Sequence, residues 1–461
     1  MQFGWSALWF IVAVSLLVTV HEFGHFWVAR KLGFKVLRFS VGFGKPLLKR
    51  VGRAPDYTEY VIAAVPLGGY VRMLDERDGA VEPADLPRAF ASRPPWARIL
   101  VMLAGPAANI LFAVLALWGM FWFNGVTHVR ALVDKVTAGS PAALAGLRVG
   151  DEFLSIDDTR VLDQGDASFG LLDAVSDDGE AVIGVHGRDG RDRTVTLTVA
   201  DAAERYRLTE PERLYTGLGF QFWVPRVPAI VGNVIADGPA AQAGMLPGDQ
   251  IVGADGAPIR SFNEFMDYVN ARPGQAMVIT VRRDGIDKVL KLTTASDVVD
   301  GRTIGRIRVE VPKNVSVTIP AGMKTHSDLG PLESLNYSVS KAWQMTAAQA
   351  KFFVRMLTGQ VSTKNISGFI SIAEYSGDAA SAGAANFLML LVLLSLSLGF
   401  LNLLPIPILD GGQIVFQIVE WIKGGPLSDR TYMVGQQAGL LLLVLLMGMA
   451  LFNDLTRLFA R

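Results

Sequence analysis

Two histidines four residues apart, with a glutamate directly after the first, stand in this chain as His21-Glu22-Phe23-Gly24-His25. On a helix the two imidazoles share a face, one turn apart, and can grip a single metal ion. The carboxylate between them can hold an attacking water. Residues 5–20, uncharged and mostly apolar, run directly into this motif. Three ionisable groups in a lipid-spanning stretch are costly to bury, and that cost asks for a compensating role. The competing reading is a pair of buried histidines with ordinary hydrogen bonds. The chemistry expected is zinc-assisted hydrolysis inside the membrane, with Glu22 as the catalytic base.

A catalytic zinc usually takes three protein ligands and keeps one position for water. The chain has no cysteine and five histidines, His21, His25, His128, His186 and His326. The last three lie outside any apolar run, so a third ligand inside the membrane must be Asp or Glu. The candidate is Asp410, in Asn402-Leu403-Leu404-Pro405-Ile406-Pro407-Ile408-Leu409-Asp410-Gly411-Gly412. Pro405 and Pro407 break the helix just before it. Broken backbone at membrane depth is tolerated where protein or water surrounds it, which suits a hydrated site. On spacing alone Asp410 reads equally as a helix cap or turn residue. Asn402 reads either as a contact to the substrate strand or oxyanion, or as a helix–helix hydrogen bond.

Four stretches are long and apolar enough to span a bilayer: 5–29, 99–123, 386–404 and 433–452. The fold class expected is a polytopic α-helical membrane protein. Its amino-terminal apolar run reads as a retained helix, lacking a basic n-region. Thirteen Lys/Arg fall from Arg30 to Arg98, and none precedes the first span. The positive-inside rule then puts residues 31–97 in the cytoplasm, and both termini with the long 124–385 region outside. Lys+Arg equals Asp+Glu, 43 each, so no basic field suggests nucleic acid. Within 31–97, Thr58 to Val71 is strand-rich and interrupted by Pro66 and Gly68-Gly69. It is expected to be a β-element that pairs with an extended substrate, or a hairpin that only shields the site. In the second span, Gly105-Pro106-Ala107-Ala108-Asn109 reads as a kink and close-packing stretch.

The outer region contains a duplication. Gly139-Ser140-Pro141-Ala142-Ala143 through Gly150-Asp151 matches Asp237-Gly238-Pro239-Ala240-Ala241 through Gly248-Asp249. A repeat near this length is a doubled domain, not a solenoid. The copies resemble PDZ domains in the circularly permuted arrangement. Gly217-Leu218-Gly219-Phe220 and Ile304-Gly305-Arg306-Ile307 resemble their carboxylate-binding loops; two readings follow, an extended peptide added to the sheet edge or units that serve as spacers. The expected divisions are 1–30, 31–97, 98–123, two PDZ-like domains at 124–225 and 226–316, a helical linker 317–385, a third span 386–412, a cytoplasmic loop 413–432, a fourth span 433–453 and a tail 454–461. Residues 332–357 show helical spacing, and 359–377 reads as a turn-laden approach to the third span.

Together these motifs make the chain resemble the bacterial site-2 proteases. The resemblance covers His21 to His25, Val41-Gly42-Phe43-Gly44-Lys45, Thr58 to Glu76, Gly105 to Asn109, both PDZ copies, Asn402 to Gly412 and Leu451-Phe452-Asn453-Asp454. It implies an inner-membrane zinc endopeptidase with His21, His25 and Asp410 on the metal and Glu22 in catalysis. It further implies substrate handling by Asn402, Pro405 and Pro407, and a membrane-reentrant β-loop at Gly68 to Val71. Substrates implied are single-span anti-sigma factors already trimmed outside, and remnant signal peptides, with the PDZ pair as a size filter. One departure is Phe369, where the family usually has Pro. The alternative class is a PDZ-bearing scaffold or transporter with a structural metal. It would need a fourth protein ligand or repeated membrane halves, and the sequence offers neither.

Overall fold

A backbone in hydrocarbon must satisfy its hydrogen bonds within its own segment, so lipid-length apolar runs become helices. The computed structural model describes residues 2–459 apart from 211–212, 226, 300–301 and 311–318. Helix α1 (Gln2–Lys31) leads into strands β1 (Val36–Val51) and β2 (Glu59–Met73), and then into helix α2 (Pro95–Asn124). Both strands bend and change partners. The result is four stretches in the order 48–51, 59–62, 38–41, 69–73, the central two parallel and each outer one antiparallel to its neighbour, so that Val41 faces Ile62 on one side and Gly69 on the other. The 69–73 stretch lies at the edge.

The two repeated units follow. The first holds β3 (Glu152–Ile156), helix α3 (Gln164–Asp177), β4 (Glu180–His186) and β5 (Asp192–Thr198). The second repeats that order with β6 (Gln250–Ala254), α4 (Phe262–Asn270), β7 (Ala276–Arg283) and β8 (Ile286–Thr293). Each sheet is antiparallel and runs from a two-residue strand, Thr159–Arg160 or Ala257–Pro258, through the other three. Strand alternation sends one side chain in two inward. Phe153, Ile183 and Leu197 thus fill the first core with Leu171 of α3, and Ile251 and Ile279 the second with Phe265 of α4.

The chain returns through α5 (Pro331–Leu357), α6 (Phe369–Ser381), α7 (Ala384–Asn402), α8 (Asp410–Lys423) and α9 (Asp429–Phe459). Among the described residues α1, α2, α7 and α9 are long and apolar enough to cross a membrane. Helix α2 is the hub, packing against α1, α5, α7 and α8. Small residues set these approaches: a Cβ on Gly24 of α1 would lie 2.2 Å from the Ala104 carbonyl oxygen of α2. A Cβ on Gly399 of α7 would lie 3.1 Å from that of Pro106.

Several expectations change. The 413–432 stretch is not a loop: α8 covers 410–423 and ends at Gly424 in the left-handed region. At fourteen residues it is too short to span, which is why span length alone passed it over. Asp410 therefore opens a helix of its own instead of ending the third span. The 359–377 approach contains α6 from Phe369 onward. Its amino-terminal N–H groups at Gly368, Ile370 and Ser371 donate to the Asp454 carboxylate at 2.9–3.2 Å, a cap supplied from a distant helix. Phe369 is the first residue of α6, a position where Pro and other residues are both accepted. The supposed tail is helical through Phe459, because Asn453, Asp454 and Arg457 all bond to the 363–371 segment; 460–461 lie outside the described residues. Finally, the loop matching Gly217-Leu218-Gly219-Phe220 is Arg306-Ile307-Arg308-Val309, two residues later than expected. The Gly219 and Arg308 carbonyls accept from Thr137 and Ile235, and both residues have positive φ, 76° and 62°.

Candidate active site

The α1 helix turns His21 and His25 toward α2, and both are buried, 7% and 6% exposed. Their Nε2 atoms lie 3.1 Å apart. The Asp410 Oδ2 atom sits 3.1 Å from the first and 3.4 Å from the second. Three donor atoms of the types that hold zinc therefore converge on one point. Asp410 Oδ2 is buried without a hydrogen-bond partner, an oxygen whose desolvation nothing offsets unless a cation does. The residues present fit a metal ion.

What makes the convergence possible is the absence of a side chain on α2. A Cβ at Gly105 would lie 2.3 Å from His25 Nε2 and 2.8 Å from His21 Cε1. One turn earlier on α2, the Val101 carbonyl accepts a 2.7 Å hydrogen bond from His25 Nδ1. That bond places the ring proton on Nδ1 and leaves Nε2 with its lone pair for a metal.

Asp410 is set by the break between α7 and α8. Helix α7 ends at Asn402, and the Pro405 to Pro407 stretch turns the chain through Ile406 N–H to Leu404 C=O and Leu409 N–H to Ile406 C=O bonds. Gly411 and Gly412 let the first turn of α8 lie on that stretch. Their Cβ atoms would fall 2.3 Å from the Leu403 oxygen and 2.1 Å from the Ile406 oxygen. Gln413 Nε2 donates to the Pro407 carbonyl at 2.7 Å.

Glu22 lies beside these three residues and against the 69–73 edge. A Cβ on Gly69 would lie 2.7 Å from the Ser40 carbonyl oxygen of the paired stretch and 3.3 Å from Glu22 Cγ and Val18 Cγ1, so glycine suits a strand held between its neighbour and α1. The Val71 backbone N–H lies next to the Glu22 carboxylate. Ser15 Oγ donates to the Pro66 carbonyl at 2.7 Å and ties the loop to α1. The Tyr70 ring stacks on Phe43, centroids 6.1 Å apart, and its hydroxyl accepts from Arg38.

The structure thus brings together His21, His25 and Asp410, and puts Glu22 beside Gly69 and Val71. Pro407 packs against α9, where a Cβ on Gly439 would meet it at 3.2 Å. Asn402 has no side-chain hydrogen bond among the described residues and does not join the cluster. Sequence reasoning missed Asn109, fully buried, whose Nδ2 lies 3.2 Å from His21 Nδ1. The available signal was its spacing: a polar residue one turn from Gly105, on the same face of an apolar helix.

A model of the family described as Peptidase family M50 matches residues 9–446. The regulator of sigma-E protease RseP of Escherichia coli K12 is 38% identical over 461 residues, covering 99% of this chain and 100% of that protein. Its Salmonella typhimurium counterpart is 38% identical over 458 residues, 98% and 99% covered. A putative zinc metalloprotease of Neisseria meningitidis serogroup A is 37% identical over 461 residues, 98% and 99% covered. Among solved structures, the PDZ domain of an SdrC-like protein from Listeria monocytogenes covers 19% of this chain and 90% of its own, with 23% identity and a TM-score of 0.16.

Proposed function

As a member of peptidase family M50, the site-2 proteases, the chain is an intramembrane zinc metalloprotease, and we propose that His21, His25 and Asp410 are its zinc ligands and Glu22 its general base. The observation that carries this reading is the meeting of two Nε2 atoms with an otherwise unpartnered Asp410 oxygen. When bound, zinc polarises the scissile carbonyl and acidifies the attacking water. Glu22 takes the water proton and delivers it to the leaving amine. The Val71 N–H and the close passage of Gly69 hold that carboxylate in place.

A transmembrane substrate hides its peptide bonds in its own helix, so it must unwind before cleavage. The 69–73 edge, paired on one side only, supports strand addition by the unwound segment next to Glu22. Asn402, Pro405 and Pro407 handle the substrate in this reading. The non-helical backbone between α7 and α8 supports a protein-lined, hydrated path there.

The outer units act as circularly permuted PDZ domains on the periplasmic side and contact the outer parts of substrates. The clustering of basic residues between α1 and α2 supports that orientation, with both termini periplasmic in the bacterial inner membrane. Substrates are single-span membrane proteins, an externally trimmed anti-sigma factor of the envelope stress response and remnant signal peptides. The names of the relatives support the first of these.

Glu22→Gln tests the assignment. In detergent, zinc content should stay at the wild-type level while cleavage of a truncated single-span substrate falls by about 10²–10⁴-fold. Wild-type cleavage by that variant removes Glu22 from its role.

A further inference from the structure

The two imidazoles are held differently, and the difference falls on a residue outside the motif. His25 Nδ1 meets a backbone carbonyl, which can only accept. His21 Nδ1 meets the Asn109 side-chain amide at 3.2 Å. An amide exchanges its oxygen and nitrogen by a half-turn, and its orientation follows from what its partner requires. A histidine that ligates through Nε2 carries its proton on Nδ1, and a buried N–H needs an acceptor. Resting on the zinc reading above, we propose that Asn109 is a positioning residue, accepting the His21 Nδ1 proton through Oδ1 and so fixing the ring for metal.

Three further observations fit this. Asn109 is 0% exposed, so no water competes for the amide. Its Oδ1 is buried without a partner, an acceptor in reserve beside the ring. Its backbone carbonyl accepts from Ser395 Oγ of α7 at 2.8 Å, and Ser395 is itself fully buried, so the stretch of α2 that carries the amide is pinned. Helix α2 therefore supplies the acceptors of both rings, Val101 for His25 and Asn109 for His21, with Gly105 between them making room. The amide acts through His21 and touches no reacting atom.

The test uses the full chain in detergent, with zinc affinity measured by competition against a chelator. Asn109→Leu keeps the branched heavy-atom skeleton and removes the acceptor; affinity should fall about 10–100-fold. Asn109→Asp restores an acceptor and should stay within a few-fold of wild type. Ser395→Ala loosens the backbone anchor and should lower affinity less than Asn109→Leu does; a larger loss would assign the effect to the α2 backbone and overturn the proposal. Wild-type affinity in Asn109→Leu overturns the proposal. Equal weakening in Asn109→Leu and Asn109→Asp also overturns it, since the role would then be packing. His21→Ala separates the two levels. If that variant binds zinc as tightly as wild type, the ligand assignment fails, whatever Asn109 does.

Discussion

Glycines serve opposite purposes in the membrane half and in the duplicated half. Gly105 has a conformation any residue adopts, yet a Cβ there would strike both candidate zinc ligands. Gly146 and Gly244, equivalent positions in the two outer units, have nothing within 4 Å of a Cβ but take φ of 88° and 77°. In the first case glycine supplies space, in the second backbone freedom. A site assembled from three separate elements is limited by volume. The outer folds, built twice from one pattern, are limited by their turns.

The largest effect expected from this contrast is at Gly105. Alanine is the better helix former, so Gly105→Ala leaves α2 helical. The methyl group must push the imidazoles apart, and displacements near 1 Å cost about 100-fold in rate. Zinc content should collapse, and cleavage should drop by at least that factor. Gly244→Ala should instead lower stability by about 1 kcal/mol through its left-handed backbone, with zinc content and cleavage untouched. Intact zinc content in Gly105→Ala would show that volume does not limit the site.

Charge supplies the next test. Arg98 of α2 donates to Glu420 of α8 at 2.8 Å, and the two side chains are only 9% and 10% exposed. Glu420 also accepts from the Leu427 N–H. This pair docks the helix that begins with Asp410 onto the helix that orients the histidines. Arg98→Met leaves a buried carboxylate unpaired, and the expected loss is about 3–5 kcal/mol. Thermal unfolding in detergent reads it. Adding Glu420→Gln should recover part of the loss, and no recovery would mean the arginine acts by packing alone. The outer units carry comparable pairs nearer solvent, where the effect is smaller.

The same contrast governs what was legible from sequence. The histidines and Glu22 sit in one short pattern whose chemistry is local, so their roles could be proposed directly, whereas Asp410, equally a cap on spacing alone, was proposed from the need for a third ligand. Asn109 could not, because its meaning depends on which imidazole lies across from it. Helix α6 was hidden because its cap comes from Asp454 on another helix, while Ser, Gly and Asn crowd the stretch that leads into it. Strand β1 escaped notice because Gly42, Gly44 and Pro46 interrupt its pattern where it changes partners. The loop register in the second unit slipped by two because Gly305 drew the match, whereas Arg308 holds the left-handed position.

The smallest effect concerns the aspartate that closes each repeated motif. Asp249 is 1% exposed, and Arg283 grips both its oxygens at 2.7 Å while the Leu246 N–H donates at 2.9 Å. Burial alone would raise its carboxyl pKa, but the guanidinium and the N–H outweigh that and hold it below the usual carboxylate range. A depressed folded-state value contributes stability that is fully present above the unfolded value, about 3.9, and is lost as pH falls through the lower folded value. Limited proteolysis of the second unit, followed from pH 7 downward in the full chain, should show wild type more resistant than Asp249→Asn at neutral pH. The gap should close below about pH 4, because the protonated carboxyl and the amide then present the same neutral group to Arg283. A gap that stays constant across that range would assign Asp249 to shape alone. Zinc binding should be the same in both proteins at neutral pH, which keeps this test confined to the outer half of the comparison.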